Sequence, residues 1–216
     1  MLKIDAIIFL NGKISFGILK KYNIKGIYLI CADGASNSLM KKKIIPNIIL
    51  GDMDSSKPET LRYFRKKNVE IRKIDDQDTT DFEKSLMYCM ENNLKNILIF
   101  GASSKRQDHT LNNYSVLKRY YKSLNLKVID SKFEIFFIDK KITFDYPKGK
   151  SISIMPVPFA GGITSNGLKY KLDNEDLELG IREGTLNISK KKNISIEFTS
   201  GDLLLFKRHF HKVQQI

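Results

Sequence analysis

The first 130 residues alternate short apolar runs with stretches of helical pattern, and this alternation limits the possible folds more than any other feature of the chain. The apolar runs are Ala6–Leu10, Ile27–Cys31, Ile48–Leu50, Val69–Ile74 and Ile97–Phe100. Runs of this length are typical of buried strands, and strands that alternate with helices form a largely parallel sheet. We therefore predict that residues 1–130 form an α/β domain with a doubly wound sheet.

Two of the helical stretches begin with recognisable start patterns. Ser56–Glu59 supplies a cap, an early proline and an acid. Thr80–Glu83 is a capping box, in which the two side chains satisfy backbone N–H groups reciprocally. The apolar face predicted for this second helix consists of Phe82, Leu86 and Met90. A third helix is predicted from Leu111, Tyr114, Leu117 and Tyr121.

From Phe133 onward the rhythm changes to strand-like runs joined by turns that carry Gly, Asn and Lys. These runs are Phe133–Ile138, Ile142–Phe144, Ser151–Pro156, Ile194–Phe198 and Leu203–Phe206. No convincing helical pattern lies between them. We therefore predict that residues 131–216 form a second, all-β domain, an antiparallel sandwich or barrel.

The formal net charge of +13 raises the question of an anionic partner. The lysines, however, are spread from Lys3 to Lys212, and their short runs fall at expected turns or helix ends. No pattern of interleaved aromatic and basic residues indicates an RNA-binding surface. No apolar run reaches the roughly 18 residues of a membrane span. We expect neither a nucleic-acid nor a membrane partner.

The two cysteines, Cys31 and Cys89, lie far apart and outside any CxxC pattern. Buried thiols in a reducing compartment explain them better than a disulfide or a zinc site. The opening residues contain an acid, Asp5, and lack a small-residue cleavage site, so we interpret them as a strand rather than a signal peptide. These features predict a cytoplasmic protein.

Polar residues gather where the predicted strands of the first half end. The segments are Asn11–Gly12, Asp33–Ser36, Gly51–Ser55, Asp75–Asp81 and Gly101–His109. Because the carboxyl ends of parallel strands lie along one edge of the sheet, we expect these segments to converge on a single crevice. Carboxylates that crowd together repel one another, so the crevice favours a bound cation, and Mg²⁺ prefers oxygen ligands.

Individual members of the crevice also have simpler explanations. Asp52 and Asp54 are two residues apart and point the same way if their loop is extended, but an isolated Asp-x-Asp is most often a turn or a cap. Lys105 and Arg106 sit before a predicted helix, where a loop can hold phosphate oxygens. His109 alone is more often a structural residue at a helix start than a catalyst.

Together these segments resemble the thiamine pyrophosphokinase family. The resemblance rests on Ala32–Ala35, Pro46–Ser55, Asp76–Asp81 and Arg106–Asn113, in the family's order, with a weaker match at Gly167–Tyr170. It implies an α/β nucleotide domain followed by a β-sandwich, and a homodimer with active sites between subunits. It also implies transfer of the diphosphate of ATP to thiamine, with AMP as the second product.

The resemblance further implies roles for particular residues. Mg²⁺ would be held by Asp52, Asp54 and Asp81, and the catalytic group would also include Asp78. On chemical grounds, a carboxylate near the metal would accept the proton of the thiamine hydroxyl, and our hypothesis is that this group is Asp54 or Asp78. Nucleotide binding would involve Asp33, Gln77, Thr80, Lys105, Arg106, Asp108 and His109. Thiamine would contact the stretch that contains Leu186 and Asn187.

The chain departs from the family pattern at three sites. Ala35 replaces the second glycine of an Asp-Gly-Gly motif, Ser104-Lys105 replaces a Gly-Gly pair, and Leu186 replaces the serine of a Ser-Asn pair. Leu186 removes a hydroxyl donor, so a pyrophosphokinase or phosphohydrolase acting on another alcohol, such as a pterin, stays open. From a different class, a basic nucleic-acid-binding module with acids only in turns is the alternative.

Overall fold

The computed structural model describes residues 3–103 and 106–210. Its internal contacts divide these residues into two compact units, one extending to Ser131 and the other running from Lys132 to Phe210. In the described residues, no helix is both long and apolar enough to cross a membrane.

The described part of the first unit contains six parallel strands. They are β1 Ala6–Phe9, β2 Tyr28–Ala32, β3 Ile48–Gly51, β4 Glu70–Lys73, β5 Asn96–Phe100 and β6 Asn125–Ile129. Their order in the sheet is β4-β3-β2-β1-β5-β6, with every pairing parallel. The order reverses between β1 and β5, which is the switch point of a doubly wound sheet. The predicted α/β fold is confirmed, whereas β6 was not predicted.

Helices connect these strands. They are α1 Phe16–Leu19, α2 Ser36–Lys41, α3 Pro58–Arg65, α4 Asp81–Glu91 and α5 Gln107–Tyr120, with a 3-10 turn at Asp33–Ala35. One sheet face forms a buried cluster with α1, α2 and α3, and this cluster includes Phe9, Phe100, Leu39 and Phe64, all fully buried. The predicted starts of α3, α4 and α5 are close to those observed, but the short helices α1 and α2 were not predicted.

Several predicted details of these helices are wrong. Met90 is 45% exposed and Leu111 is 73% exposed, so neither belongs to an apolar face. Ser56 does not cap α3, because Lys57 occupies the cap position without a side-chain bond. The Thr80 hydroxyl accepts the Glu83 N–H at 3.3 Å, as a cap should. The Glu83 carboxylate accepts bonds from α5 instead of completing the capping box.

The second unit consists of antiparallel strands, and the described residues contain no helix there. The strands are β7 Phe133–Ile138, β8 Lys141–Asp145, β9 Ser151–Asn166, β10 Glu175–Glu178, β11 Gly184–Ile188, β12 Asn193–Glu197 and β13 Ser200–Arg208. The long strand β9 pairs with β10, β11, β12 and β13. The antiparallel β class is confirmed. The prediction ended this strand at Pro156, whereas β9 continues to Asn166, and β10 and β11 were not predicted.

Candidate active site

Three carboxylates from separate segments meet at the carboxyl edge of the parallel sheet. Asp33 follows β2, Asp52 follows β3, and Asp81 begins α4. One oxygen from each lies within 4.8 Å of the others. We refer to Asp33, Asp52 and Asp81 as the carboxylate triad. The parallel sheet brings them together because its strands all end at this edge.

Gly51, at the end of β3, allows the triad to be this compact. Its φ angle is +145°, a region that L side chains rarely adopt. A Cβ atom at this position would lie 2.8 Å from Cβ of Asp33 and 2.9 Å from Oδ1 of Asp81. Any side chain here would therefore push apart two members of the triad.

Asp33 is fully buried and organises the loop that follows β3. Its two carboxylate oxygens accept the backbone N–H groups of Ser55, at 2.7 Å, and Ser56, at 3.1 Å. The Ser56 hydroxyl donates to the Asp33 carbonyl at 2.9 Å and bonds to the hydroxyl of Ser36. Ser56, predicted as a helix cap, thus serves to fix this loop. Ala35 has an ordinary φ of −63°, so the position does not require glycine.

Asp54 lies beside the triad but is not one of its three members. Its Oδ1 accepts the Ser55 hydroxyl at 2.8 Å, and its backbone N–H donates to Oδ1 of Asp52 at 3.2 Å. Met53 has a φ of +68°, so the backbone turns between the two acids. The prediction that this loop is extended is therefore wrong. The third carboxylate of the triad, beside Asp52 and Asp81, is Asp33 rather than Asp54.

Burial and mutual repulsion change the acidity of these carboxylates. Burial, followed by the charges of Asp33, Asp52 and Asp54, raises the pKa of Asp81 to about 6 against the opposing charge of Lys84. Burial also raises the pKa of Asp33, although hydrogen bonds from the Ser56 side chain and from the Ser55 N–H group act in the other direction. Burial is thus the main cause at both residues, and the neighbouring carboxylates add to it at Asp81.

The donor set suits a hard divalent cation. It offers carboxylate oxygens only, converging from three chain segments within one ligand sphere. Mg²⁺ takes oxygen ligands of this kind and usually shares them with substrate phosphates. The residues present therefore fit Mg²⁺ on their own chemistry.

The acidic segment after β4 is held by Asp76. Oδ1 of Asp76 accepts the Asp78 N–H at 2.9 Å, and its other oxygen accepts the Thr79 hydroxyl. Gln77, Asp78 and Thr80 are exposed at this edge of the sheet. Asp76 is thus a turn residue, whereas the side chains of Gln77 and Asp78 face the solvent in front of α4.

The predicted phosphate-binding residues before α5 are only partly described, since Lys105 lies outside the described residues. Arg106 forms a two-bond ion pair with Asp108, at 3.2 and 2.5 Å, and both side chains are exposed. The Arg106 bond lowers the pKa of Asp108 to about 2. His109 is exposed in the first turn of α5. In this structure Arg106 and Asp108 bind each other rather than the triad.

Lys84 was missed by the sequence analysis. It is 5% exposed, and its Nζ lies 3.7 Å from Oδ1 of Asp81 and 3.2 Å from the carbonyl oxygen of Ile74. One clue was available in the sequence, because Lys84 follows Asp81 by three residues, the spacing at which side chains meet on a helix.

In the second unit, Asn187 is buried and holds a neighbouring loop. Its Oδ1 accepts the backbone N–H of Tyr170 at 3.0 Å, and its Nδ2 donates to the Tyr170 carbonyl at 2.7 Å. The Tyr170 ring itself is 58% exposed. Leu186 is 82% exposed with a φ of +57°. The predicted pair therefore divides into a buried residue that positions Tyr170 and an exposed apolar side chain.

Comparison with known proteins gives the same family for both halves of the chain. Residues 19–129 match the model for the thiamin pyrophosphokinase catalytic domain. Residues 138–203 match the model for the thiamin pyrophosphokinase vitamin B1 binding domain. Neither match supports the pterin or the nucleic-acid alternative.

Individual relatives agree with the family models. The chain is 30% identical to thiamin pyrophosphokinase 1 of Caenorhabditis elegans, over 90% of this chain and 85% of the relative. It is 28% identical to thiamine pyrophosphokinase 1 of rice, Oryza sativa subsp. japonica, over 81% of this chain and 76% of the relative.

Solved structures share the fold. The crystal structure of thiamine pyrophosphokinase from Bacillus subtilis has a TM-score of 0.83 at 22% identity, covering 95% of this chain and 99% of the other. The yeast thiamin pyrophosphokinase structure has a TM-score of 0.81 at 19% identity, covering 97% and 87%. From the family models and the Caenorhabditis relative, the chain belongs to the thiamin pyrophosphokinase family.

Proposed function

We propose that this chain transfers the diphosphate of ATP to the hydroxyl of thiamine at an Mg²⁺ site formed by the carboxylate triad. The observation that carries the proposal is the triad itself, at the carboxyl edge of the sheet in a chain matched by both family models. Thiamine and ATP are the substrates, and the enzyme is an ATP-dependent diphosphotransferase.

The triad would hold the cation through Asp33, Asp52 and Asp81, with Asp54 beside it. When bound, Mg²⁺ supplies neutralisation of the charge on the phosphate oxygens, which is the main requirement of phosphoryl-type transfer. Gly51 would keep the ligands close, and the Ser55 and Ser56 amides would keep Asp33 oriented.

The remaining steps belong to the chain's own side chains. The thiamine oxygen forms a bond to the β-phosphorus of ATP, and the bond from that phosphorus to the α–β bridging oxygen breaks, so AMP leaves. We assign acceptance of the hydroxyl proton to Asp54, which is exposed next to the triad. The nucleotide would be contacted by side chains at the exposed edge of the sheet. These are Gln77, Asp78, Thr80, Lys105, Arg106, Asp108 and His109.

The second unit would bind thiamine, as its family match suggests. There Asn187 would act by fixing the Tyr170 loop, because both polar ends of its amide are already bonded to that loop. Leu186 would offer an apolar contact where the family pattern has a hydroxyl.

We also propose a cytoplasmic homodimer that binds neither nucleic acid nor membrane. Free, buried Cys31 and Cys89 support a reducing compartment. Leu179, Ile181 and Leu186 are each at least half exposed in the second unit, and exposed apolar side chains of this kind favour association.

The first test measures AMP release from Mg-ATP with and without thiamine. Thiamine-dependent AMP, with thiamine diphosphate as co-product, is the expected result. AMP release that depends on a different alcohol would keep the reaction and change the substrate. No AMP from folded protein under any of these conditions would reject the proposal.

The metal assignment is tested by the variants Asp52→Asn and Asp81→Asn. Each should lower kcat by about a hundredfold or more, because one charged ligand is lost while the shape is kept. Asp75→Asn is the matched control, since Asp75 is exposed and pairs with Lys73 outside the triad. Near-normal turnover of Asp52→Asn would contradict the assignment.

A further inference from the structure

Lys84 is a lysine buried beside the carboxylate triad, in the first turns of α4. A buried ammonium group is costly unless it is paired and hydrogen-bonded. Lys84 has both kinds of partner, the Oδ1 atom of Asp81 at 3.7 Å and the carbonyl oxygen of Ile74 at 3.2 Å. These contacts join the first turn of α4 to Ile74, the residue that directly follows β4.

The other basic side chains at this edge of the sheet form ion pairs with acids outside the triad. Lys73 pairs with Asp75 at 2.6 Å, and Arg106 pairs with Asp108. Across residues 3–103 and 106–210, Lys84 is the basic side chain that forms an ion pair with a member of the triad. Three clustered carboxylates thus share one fixed positive charge, and its side chain is 4% exposed, so solvent screens it little.

We propose that Lys84 is the built-in counterion of the triad, which keeps the nucleotide-free site stable without a divalent cation and weakens cation binding until ATP arrives. This inference rests on the proposed function of the same site. Lys84 is a positioning residue, because its ammonium acts through Asp81 and the Ile74 carbonyl rather than on the reacting atoms.

The physical reason is competition for the same negative charge. A fixed ammonium near Asp81 repels a divalent cation that approaches the triad, and it offsets part of the repulsion among the carboxylates when no such cation is present. A triphosphate adds several negative charges and its own oxygen ligands, so the balance then favours the cation. Cation and nucleotide should consequently bind together.

The test measures Mn²⁺ binding by electron paramagnetic resonance. It compares the affinity of the nucleotide-free wild type with that of the nucleotide-free Lys84→Met variant. Removal of the charge should tighten Mn²⁺ binding by about tenfold, because the ammonium group lies 3.7 Å from one ligand of the cation in a site that solvent screens little. Without Mn²⁺ the variant should unfold at a lower temperature than wild type. Added Mn²⁺ should bring the two unfolding temperatures closer together. Equal or weaker Mn²⁺ binding by Lys84→Met would overturn the proposal.

Arg119→Met is the matched control. Arg119 pairs with Glu83, a buried acid of the same helix that is not part of the triad. This variant also removes a cation from a buried carboxylate of α4, so it reproduces the general cost to stability. Its Mn²⁺ affinity should equal that of wild type, and a tenfold increase there would show that the effect is not specific to Lys84.

A second variant, Lys84→Gln, removes the charge and keeps a donor for the Ile74 carbonyl. If Lys84→Met does not fold, the same increase in Mn²⁺ affinity is expected of Lys84→Gln. If both fold only with Mn²⁺ present, the counterion role is supported; failure of both to fold at any Mn²⁺ concentration counts against it. AMP release by wild type tests the proposed function separately, because these binding measurements use no substrate.

Discussion

Gly51 determines how closely Asp33 and Asp81 can approach. Its backbone occupies the space between their side chains, and its positive φ excludes most other residues. The orientation of the Asp33 carboxylate is likewise fixed by its surroundings. It accepts two backbone N–H groups, without which it would rotate freely. The geometry of the triad therefore depends on contacts that supply no ligand atom.

We predict that Gly51→Ala lowers turnover by about tenfold or more and destabilises the protein by about 1–3 kcal/mol, as inserting an atom into a packed site usually does. Gly26→Ala is the control, because Gly26 also has a positive φ but has nothing within 4 Å of an added Cβ. Urea unfolding and AMP release measure the two effects. Equal behaviour of the two variants would mean that the collision with Asp33 and Asp81 is unimportant.

At the scale of elements, Asp5 connects the start of β1 to the start of β5. Its Oδ2 accepts the backbone N–H groups of Lys95 and Asn96, at 3.1 and 2.9 Å, and the Asn96 side-chain amide at 2.9 Å. The bond from the Asn96 backbone is the largest cause that lowers the pKa of Asp5 below its ordinary value of 3.8. The ionised form is therefore favoured by folding.

The sign of the pH dependence follows from this lowered pKa. Ionised Asp5 adds to the free energy of unfolding above pH 3.8, which is the ordinary pKa of an aspartate. This added stability is lost as the pH falls through the lower pKa of the folded state. Asp5→Asn should lower the free energy of unfolding by about 1–2 kcal/mol at neutral pH, which is a typical loss for hydrogen bonds to a charged group. Urea unfolding should show this difference shrinking below pH 3.8. A difference that stays constant with pH would contradict the assignment.

The elements also show where sequence patterns were sufficient. The Thr80 cap and the buried strands β1, β2, β3 and β5 follow from residues within a few positions of one another. The strands β10 and β11 were missed because each has a single buried residue and therefore no apolar run. The strand β6 was missed although three of its five residues are buried. Met90 and Leu111 had the right spacing for a core face, but both side chains are exposed among the residues that the structure describes.

For the whole molecule, we predict that Ile181→Asp weakens the proposed dimer. Ile181 is 76% exposed in the second unit, and a charge in an apolar interface is costly because it must be desolvated. Light scattering at micromolar protein should give a dimer for wild type and a smaller mass for the variant. Leu111→Asp, at a comparable 73% exposure in the first unit, should stay dimeric. A monomeric wild type, or an unchanged Ile181→Asp dimer, would contradict the proposal.

The local amino-acid pattern was enough to assign the fold class, the family and the neighbourhood of the site. Strand burial, helix capping and the carboxyl edge of a parallel sheet are consequences of short-range periodicity and connectivity, which are visible along the chain. Asp52 and Asp81 were accordingly predicted to lie in one crevice, and the structure has them together there.

The membership of the triad and its counterion depended on long-range packing. Asp33 joins Asp52 and Asp81 because Gly51 leaves room and the Ser55 and Ser56 amides hold it, while the turn at Met53 sets Asp54 to one side. Lys84 becomes a counterion only when α4 buries it against Ile74. Distances between side chains from separate segments, and the burial that sets their charge, arise when those segments pack together, so no local pattern encodes them.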